Sequence, residues 1–445
     1  MLKKILSMIV LVYVLTSHSE LAKANSAYSQ ILPMMQRAAF IDDIIEKRVK
    51  TLLPQLMNEH DMDMWILISR EYNEDPILKT LLPATWLSAR RTTILVFARE
   101  NKKTVNSYAI GTYKVGDMFE KAWDKQKHPN QWQALQALVV QYDPKNIGIN
   151  QSDIWAHADG LVATDKKDLM KGLSKKYQKR LVSAEPLAVS WLEQRIPDEM
   201  KMYEHIVAIA HSIIAEAFSR QVITPGKTTT EEVVWWLRER VRELRLQAWF
   251  HPTIGIQRKS DEKFDHLASF TNKSNVIQVG DLLHVDFGIT YLRLNTDTQQ
   301  HAYVLKPGET SAPVELVEAF KRGNKLQDIF TNNFAVGKTG NQVLKESRQM
   351  AIEQGLKPSI YTHPLGYHGH GAGTTLGMWD SQGGVPGDGD YPLHYNTVYS
   401  IELNNAMFIK AWDKEIRIML EENALFDKNG VTYIDGRQQE LILIK

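Results

Sequence analysis

The sequence predicts an α+β protein of two domains, the first of them a smaller α/β domain. The chain has 445 residues, which exceeds the size at which one hydrophobic core usually stops growing. Helix-like and strand-like patterns alternate along its first part, and a long helix-period pattern begins at Pro197. We therefore expect an N-terminal domain over residues 25–196 and a second domain over residues 197–445.

The first 24 residues are typical of a secretory signal peptide. Lys3 and Lys4 precede the apolar run ILSMIVLVYVLT, and a small-x-small cleavage pattern ends at Ala24. An uncleaved anchor is the less favoured alternative, because twelve apolar-rich residues are too few to span a bilayer comfortably. We expect cleavage after Ala24, a periplasmic or secreted protein, and no membrane association of the mature chain. The absence of cysteine is compatible with an oxidising compartment.

The N-terminal domain opens with an amphipathic pattern in which Ile41, Ile44 and Ile45 recur at helical spacing, followed by the apolar strand MWILIS. Further strands are expected at residues 91–99, 104–111 and 145–153. The net charge of +1 gives no general electrostatic reason to expect a nucleic-acid partner.

The second domain begins with a long helix from Pro197. A second helix is expected to open at Thr229, which stands three residues before Glu232 in capping-box order. Within this second helix, Trp235 and Trp236 are expected to pack in the core.

Two aspartates stand in the β-rich run HVDFGITYLRLNTDTQQHAYVL. Asp286 and Asp297 lie among apolar and β-branched neighbours, where a carboxylate is costly unless it is paired or bound to a cation. A salt bridge and a metal ion are both possible explanations.

Three further candidate ligands follow: His370 in a Gly-rich loop, Glu402 in a strand-like run, and Glu421 between apolar residues. Each alone has an ordinary reading as a solvated or edge residue. Together with the aspartates they form an oxygen-rich set with one imidazole, which suits a pair of divalent ions. We prefer Glu421 to the adjacent Glu422, because strand neighbours face opposite ways and the spacing from Glu421 to the following glycine fits the family described next.

Residues 197–445 resemble the creatinase and aminopeptidase family, the pita-bread metallopeptidases. That family carries D-x-G, a second Asp eleven residues on, a His in a G-H-G-x-G-like loop, a Glu in an apolar strand, and a last Glu. The matching positions here are Asp286-Phe287-Gly288, Asp297, His370, Glu402 and Glu421.

The resemblance implies a two-metal exopeptidase that removes the N-terminal residue of short peptides. It implies that Asp297 serves one ion, that His370 and Glu402 serve the other, and that Asp286 and Glu421 bridge both. A water held between the ions would attack the peptide carbonyl, and Glu402 would also transfer a proton. Manganese is the favoured ion, although cobalt, zinc and iron accept the same ligands.

The N-terminal domain resembles, by length and pattern, that of the Xaa-Pro aminopeptidase, prolidase and creatinase branch. This implies Xaa-Pro bonds as a candidate target and a homodimer as the assembly. Two alternatives remain: hydrolysis of a non-peptide amide or amidine on the same fold, and a non-catalytic peptide-binding module.

The sequence departs from the family pattern at the substrate-contacting histidines. Relatives carry a second His seven residues after the metal-binding His, where counting from His370 leads to Gly377. The upstream substrate His has His266 as its nearest candidate and His251 as the next. His363 and His368 also flank the Gly-rich loop, with roles left open.

Overall fold

The computed structural model of the protein describes residues 27–259 and 275–445. The proposed cleavage site at Ala24 and the candidate His266 lie outside these residues. The chain divides into two compact units. One comprises Pro33–Glu199 with Gly371–Gly373, and the other comprises residues 27–32, Met200–His370 and Thr374–Lys445. Among the helices described, none is long and apolar enough to cross a lipid bilayer.

The first unit is built on a six-stranded mixed sheet with the spatial order β4-β3-β2-β1-β5-β6. Its strands are β1 (Met64–Arg70), β2 (Thr92–Arg99), β3 (Val105–Ile110), β4 (Glu120–Lys121), β5 (Ile147–Ile149) and β6 (Leu181–Ser183). The strands expected from the sequence are present, and β1, β2 and β5 are apolar runs that the sheet buries on both faces.

Seven helices belong to this unit: α1 (Met34–Lys47), α2 (Leu53–Glu59), α3 (Pro76–Leu81), α4 (Gln131–Tyr142), α5 (Ala163–Gly172), α6 (Lys175–Gln178) and α7 (Glu185–Glu193). A single π-helical turn, Arg48–Leu52, joins α1 to α2. The predicted alternation of helix and strand is confirmed.

The second unit is built on a nine-stranded sheet. Its main path runs β12-β14-β15-β11-β8-β7, while β13 pairs with β14, β16 with β15 and β17 with β11. The strands are β7 (Thr253–Gln257), β8 (Leu282–Phe287), β11 (Thr298–Val304), β12 (Pro358–Ile360), β13 (His363–Leu365), β14 (Thr397–Ile409), β15 (Lys414–Asp427), β16 (Gly430–Tyr433) and β17 (Ile442–Ile444). A small hairpin of β9 (Thr290–Tyr291) and β10 (Leu294–Asn295) separates β8 from β11.

The helices of this part of the chain are α8 (Pro197–Ala217), α9 (Thr230–Glu243), α10 (Val314–Thr331) and α11 (Gly340–Glu353). The capping box predicted at the start of α9 is present, with Thr229 and Glu232 each bonding the other's backbone N–H. Trp235, by contrast, is 53% exposed, so the prediction that it packs in the core is wrong. Trp235 lies on the solvent-facing side of the amphipathic helix α9, and the hydrophobicity of one residue does not determine which side of a helix it occupies.

Successive side chains of β14 and β15 alternate between a largely apolar and a largely polar face of the sheet. Ile401 and Leu420 belong to a core cluster with Leu316 and Phe320 of α10. Glu402 follows Ile401 and Glu421 follows Leu420 along the strands, so both glutamates point to the opposite face. Gly323 lets α10 approach closely, because a Cβ there would lie 2.9 Å from Ile418.

Candidate metal centre

A single row of paired residues crosses four strands on the polar face of the second sheet. Asp286 pairs with Gln299, Gln299 with Glu421, and Glu421 with Glu402. Because directly paired residues of antiparallel strands share a face, three carboxylates and one amide stand side by side. Burying so many acidic groups together raises the question of what offsets their charge.

A second row lies two residues away along β14 and β15 and continues onto β13. His363 pairs with Ser400, and Ser400 with Asn423. The Asn423 amide donates to the backbone oxygen of Asp297 at 2.9 Å, and the Asp297 N–H donates back to the Asn423 side-chain oxygen at 3.1 Å. The Ser400 hydroxyl donates to Glu421 Oε1 at 2.5 Å, which ties the two rows together.

Three groups in these rows have the composition of cation sites. They are Asp286 with Asp297 and Glu421, His363 with Glu402 and Glu421, and Asp297 with His363 and His370, with the ligand atoms of each group within 4.8 Å of one another.

Buried atoms without a hydrogen-bond partner lie inside these groups: Asp286 Oδ1, Asp297 Oδ1 and His363 Nε2. Such atoms are costly unless a cation or water satisfies them. The residues present therefore fit divalent metal ions.

The electrostatics of the cluster agree with this reading. Burial raises the pKa of Asp286 to about 7, and burial with the neighbouring charge of Asp286 raises the pKa of Glu421 to about 8. Burial, followed by the charges of the surrounding carboxylates, also raises the pKa of Asp297 and of Glu402 well above the ordinary range. Without a cation, it is unfavourable for all four carboxyl groups to be ionised at once. A bound divalent ion would lower their pKa values again and stabilise the ionised forms.

His363 is the imidazole enclosed by the carboxylates. Its Nε2 lies 3.8 Å from Asp297 Oδ2 and 3.8 Å from Glu421 Oε1, and the side chain is only 3% exposed. Its Nδ1 lies 3.1 Å from the Pro364 carbonyl oxygen, so Nδ1 carries the proton and Nε2 offers a lone pair. Burial, with His370 nearby, lowers the pKa of His363 to about 3, which keeps the ring neutral.

His370 lies at the more exposed rim of the same cluster. Its ring centroid is 4.7 Å from that of His363, 5.3 Å from Trp249 and 6.2 Å from Tyr361. The Trp249 indole N–H donates to the Thr296 carbonyl at 2.8 Å, beside Asp297. A Cβ on Gly369 would lie 2.4 Å from the Trp249 ring, so this glycine is what allows the indole to stand there.

Glu402 is held through its backbone as well as its side chain. The Tyr361 N–H donates to the Glu402 carbonyl, and the Thr362 hydroxyl bonds both the carbonyl and the N–H of Glu402, each at 3.1 Å. The Gln299 amide donates to Glu402 Oε1 at 2.9 Å. The carboxylate is therefore fixed at the edge of the row.

Glu422 points to the other face of the sheet. Its Oε2 lies 2.8 Å from His211 Nε2, and Asp435 Oδ2 lies 3.0 Å from His211 Nδ1. Burial alone would lower the pKa of His211, but the charges of Glu422 and Asp435 raise it to about 9. Glu422 thus belongs to a separate ion cluster, and Glu421 is the glutamate that joins the acidic row.

The other two candidate histidines that the structure describes, His251 and His368, are not brought into the carboxylate rows. His251 is exposed, with its Nδ1 3.1 Å from Arg238 and its ring against Trp235. His368 accepts a backbone bond from Gly366 N–H through its carbonyl.

Sequence reasoning left the role of His363 open and missed Gln299, Ser400 and Asn423 as parts of the cluster. One signal was available for His363: the sequence has a second histidine, His370, seven residues later. Gln299, Ser400 and Asn423 carry no such signal, since none of these uncharged side chains is typical of a metal ligand.

Comparison with known proteins also indicates a metal-binding protein. Residues 201–428, just over half of the chain, match the model of metallopeptidase family M24. Among curated proteins, none matches the sequence. Many solved structures match the fold.

Three of these structures have comparable length. An X-Pro aminopeptidase from Thermotoga maritima is 15% identical with a TM-score of 0.60, covering 86% of this chain and 98% of that one. A Xaa-Pro dipeptidase from Bacillus anthracis is 15% identical with a TM-score of 0.58, covering 93% and 100%. A prolidase from Pyrococcus horikoshii is 16% identical with a TM-score of 0.55, covering 88% and 98%.

The pita-bread fold expected from the sequence is thereby confirmed, with an N-terminal domain of the kind these structures carry. The family match adds what fold similarity alone does not give, namely the class of chemistry. The chain belongs to metallopeptidase family M24 and is a metal-dependent peptidase.

Proposed function

We propose that this protein is a secreted or periplasmic exopeptidase that uses two divalent ions to hydrolyse the N-terminal peptide bond of short peptides. The observation that carries the proposal is the cluster of Asp286, Asp297, Glu402, Glu421 and His363. Three buried atoms of this cluster have no hydrogen-bond partner. The signal-like residues 1–24 support the location.

The geometry favours a different sharing of ligands from the one that the family resemblance first implied. One ion would lie among Asp286, Asp297 and Glu421, and the other among His363, Glu402 and Glu421. Asp297 Oδ2 also reaches within 3.8 Å of His363 Nε2. We therefore assign the bridging positions to Asp297 and Glu421.

We also propose that His363, rather than His370, is the imidazole ligand. His363 is enclosed by carboxylates and presents a lone pair, whereas His370 lies at the rim. With His363 as the ligand, His370 falls seven residues later, the spacing at which relatives carry a substrate-contacting histidine.

If His370 were the ligand, the position seven residues later would be Gly377. There φ is +76° and a Cβ would lie 2.3 Å from the Ile360 carbonyl oxygen. A histidine would not fit at that position, so the apparent departure from the family pattern disappears.

The residues around the cluster divide the chemistry between them. When bound, the two ions would acidify a water and polarise the scissile carbonyl. Glu402 would take the proton from the attacking water and return it to the leaving amine. His370, beside Tyr361 and Trp249, would orient the substrate at the rim of the site.

Xaa-Pro peptides are the substrate class that the structural neighbours suggest, since the relatives above are named for X-Pro and Xaa-Pro cleavage. Manganese is the favoured ion because the ligand set is mostly carboxylate, and cobalt, zinc and iron remain compatible. We also propose that the protein acts as a homodimer.

The test is a mass-spectrometric digest of a short-peptide library by the purified protein, with Mn²⁺ and in parallel with a chelator. We expect metal-dependent loss of one N-terminal residue, enriched in sequences with proline at the second position. An Asp297→Asn variant with an unchanged circular dichroism spectrum serves as the inactive control. Cleavage that continues in chelator, or cleavage inside long peptides, would contradict the proposal.

A further inference from the structure

Gln299 occupies a position inside the acidic row that the ligand assignment does not use. On β11 it pairs with Asp286 on one side and with Glu421 on the other. Its exposed fraction is 6%. A neutral side chain therefore stands between residues that we assign to the metal ions.

The amide is fully engaged by its neighbours. Its Nε2 donates to Glu402 Oε1 at 2.9 Å and to Glu421 Oε2 at 2.7 Å, which uses both amide hydrogens. Its Oε1 lies 2.8 Å from His284 Nε2. Because an amide oxygen only accepts, His284 must carry its proton on Nε2.

This arrangement allows one orientation of the amide. If the amide were flipped, its oxygen would face two carboxylates, which have no proton to donate when they bind a cation. The two glutamates thus fix the direction in which Gln299 donates, His284 holds the amide oxygen on the other side, and Gln299 in turn fixes one oxygen of each glutamate.

We propose that Gln299 is a positioning residue for the metal centre, which holds Glu402 and Glu421 in the orientation that binds the ion shared with His363. This inference rests on the proposed function, because it presupposes those two glutamates as ligands. Two donated hydrogen bonds offset part of the repulsion between the carboxylates and limit their rotation, so the site is arranged before the ion arrives.

A purely structural role is the competing explanation, and the chain offers a matched control for it. Gln300 is the next residue on β11, is equally buried, and faces the opposite side of the sheet. Its Nε2 donates to Glu422 Oε1 at 3.0 Å. The two glutamines therefore differ mainly in which glutamate cluster they support.

The experiment compares Gln299→Met with Gln300→Met by calorimetric titration of Mn²⁺ into the metal-stripped full chain. We expect Gln299→Met to weaken Mn²⁺ binding by about 10–100-fold, the usual cost of losing a residue that orients a metal ligand. We expect Gln300→Met to change it less than about twofold while lowering the unfolding temperature similarly. Equal Mn²⁺ affinities in the two variants would overturn the proposal.

A second variant covers the case in which Gln299→Met fails to fold. His284→Leu leaves Gln299 in place and removes the partner that holds its amide oxygen, so Mn²⁺ binding should again weaken, by at least about threefold. Unchanged affinity in His284→Leu, with Gln299→Met unfolded, would overturn the proposal. If the unmutated protein binds none of Mn²⁺, Co²⁺, Zn²⁺ and Fe²⁺, the proposed function itself fails, and the two failures are thereby distinguished.

Discussion

His363 Nε2 lies 3.8 Å from Asp297 Oδ2, with no hydrogen bond to satisfy either His363 Nε2 or the other Asp297 oxygen. A salt bridge does not account for this approach, because burial keeps the His363 ring neutral by lowering its pKa to about 3. A cation between the two side chains does account for it.

The two histidines of the cluster should fail in different ways when replaced. His363→Ala should lose one bound ion per chain and lose peptidase activity, because an imidazole ligand is missing. His370→Ala should keep both ions and lose activity through weaker substrate orientation. Metal content by plasma mass spectrometry, beside kcat/KM, separates the two. A variant His370→Ala that loses an ion while His363→Ala keeps both would reverse our assignment.

The adjacent glutamates offer an equally sharp comparison. Glu421→Gln should abolish hydrolysis while the fold persists, because Glu421 reaches both candidate ion positions. Glu422→Gln should keep metal binding but lower the free energy of unfolding by about 1–3 kcal/mol, because it weakens a buried bond to protonated His211. Urea unfolding and Mn²⁺ titration of both variants check this. Loss of Mn²⁺ binding in Glu422→Gln alone would show that the register is misassigned.

Metal removal should destabilise the protein as well as inactivate it. Without ions, the buried carboxylates either repel one another or take up protons. At a free Mn²⁺ concentration of 100 times Kd, each bound ion should add about 2.7 kcal/mol to the free energy of unfolding. Thermal unfolding with Mn²⁺ and with chelator measures this difference. An unfolding temperature that does not respond to Mn²⁺ would argue against a metal centre.

His301 should make the protein sensitive to acid. Its Nδ1 donates to the Leu283 carbonyl at 2.9 Å, and its Nε2 accepts from the Met419 N–H at 2.9 Å. Burial, with His284 nearby, lowers the pKa of His301 from 6.5 to about 3. Between these pH values the unfolded chain binds a proton that the folded chain does not, so stability is complete above pH 6.5 and falls as the pH decreases.

His301→Gln provides the measurement for this pH dependence. An amide keeps one donor and one acceptor but does not titrate, so wild type should lose stability relative to the variant by up to about 1.4 kcal/mol per pH unit below the unfolded pKa. Urea midpoints from pH 7 to pH 4 test it. Parallel curves for the two proteins would show that His301 does not titrate as described.

The sequence distinguishes the acidic members of the cluster more readily than the imidazole, for a physical reason. Asp286, Glu402 and Glu421 sit in strand-like runs whose period of two makes a carboxylate conspicuous among apolar neighbours. His363 and His370 share one Gly-rich segment, where no period distinguishes them. The pairing of His363 with Ser400, a contact across the sheet, places His363 rather than His370 in the second row.

The amide network was beyond sequence reasoning for a similar reason. Gln299 and Gln300 are identical neighbours, and their different partners follow from strand register, which depends on residues more than a hundred positions away. Trp235 shows the opposite error, since an apolar residue was assigned to the core although its helix presents it to solvent.

The most direct test of the central claim is anomalous diffraction from crystals of the Mn²⁺-loaded protein. We predict two peaks, one coordinated by Asp286, Asp297 and Glu421 and the other by Asp297, His363, Glu402 and Glu421, with His370 coordinating neither. A single peak, a peak coordinated by His370 in place of His363, or no peak at these carboxylates would contradict the account.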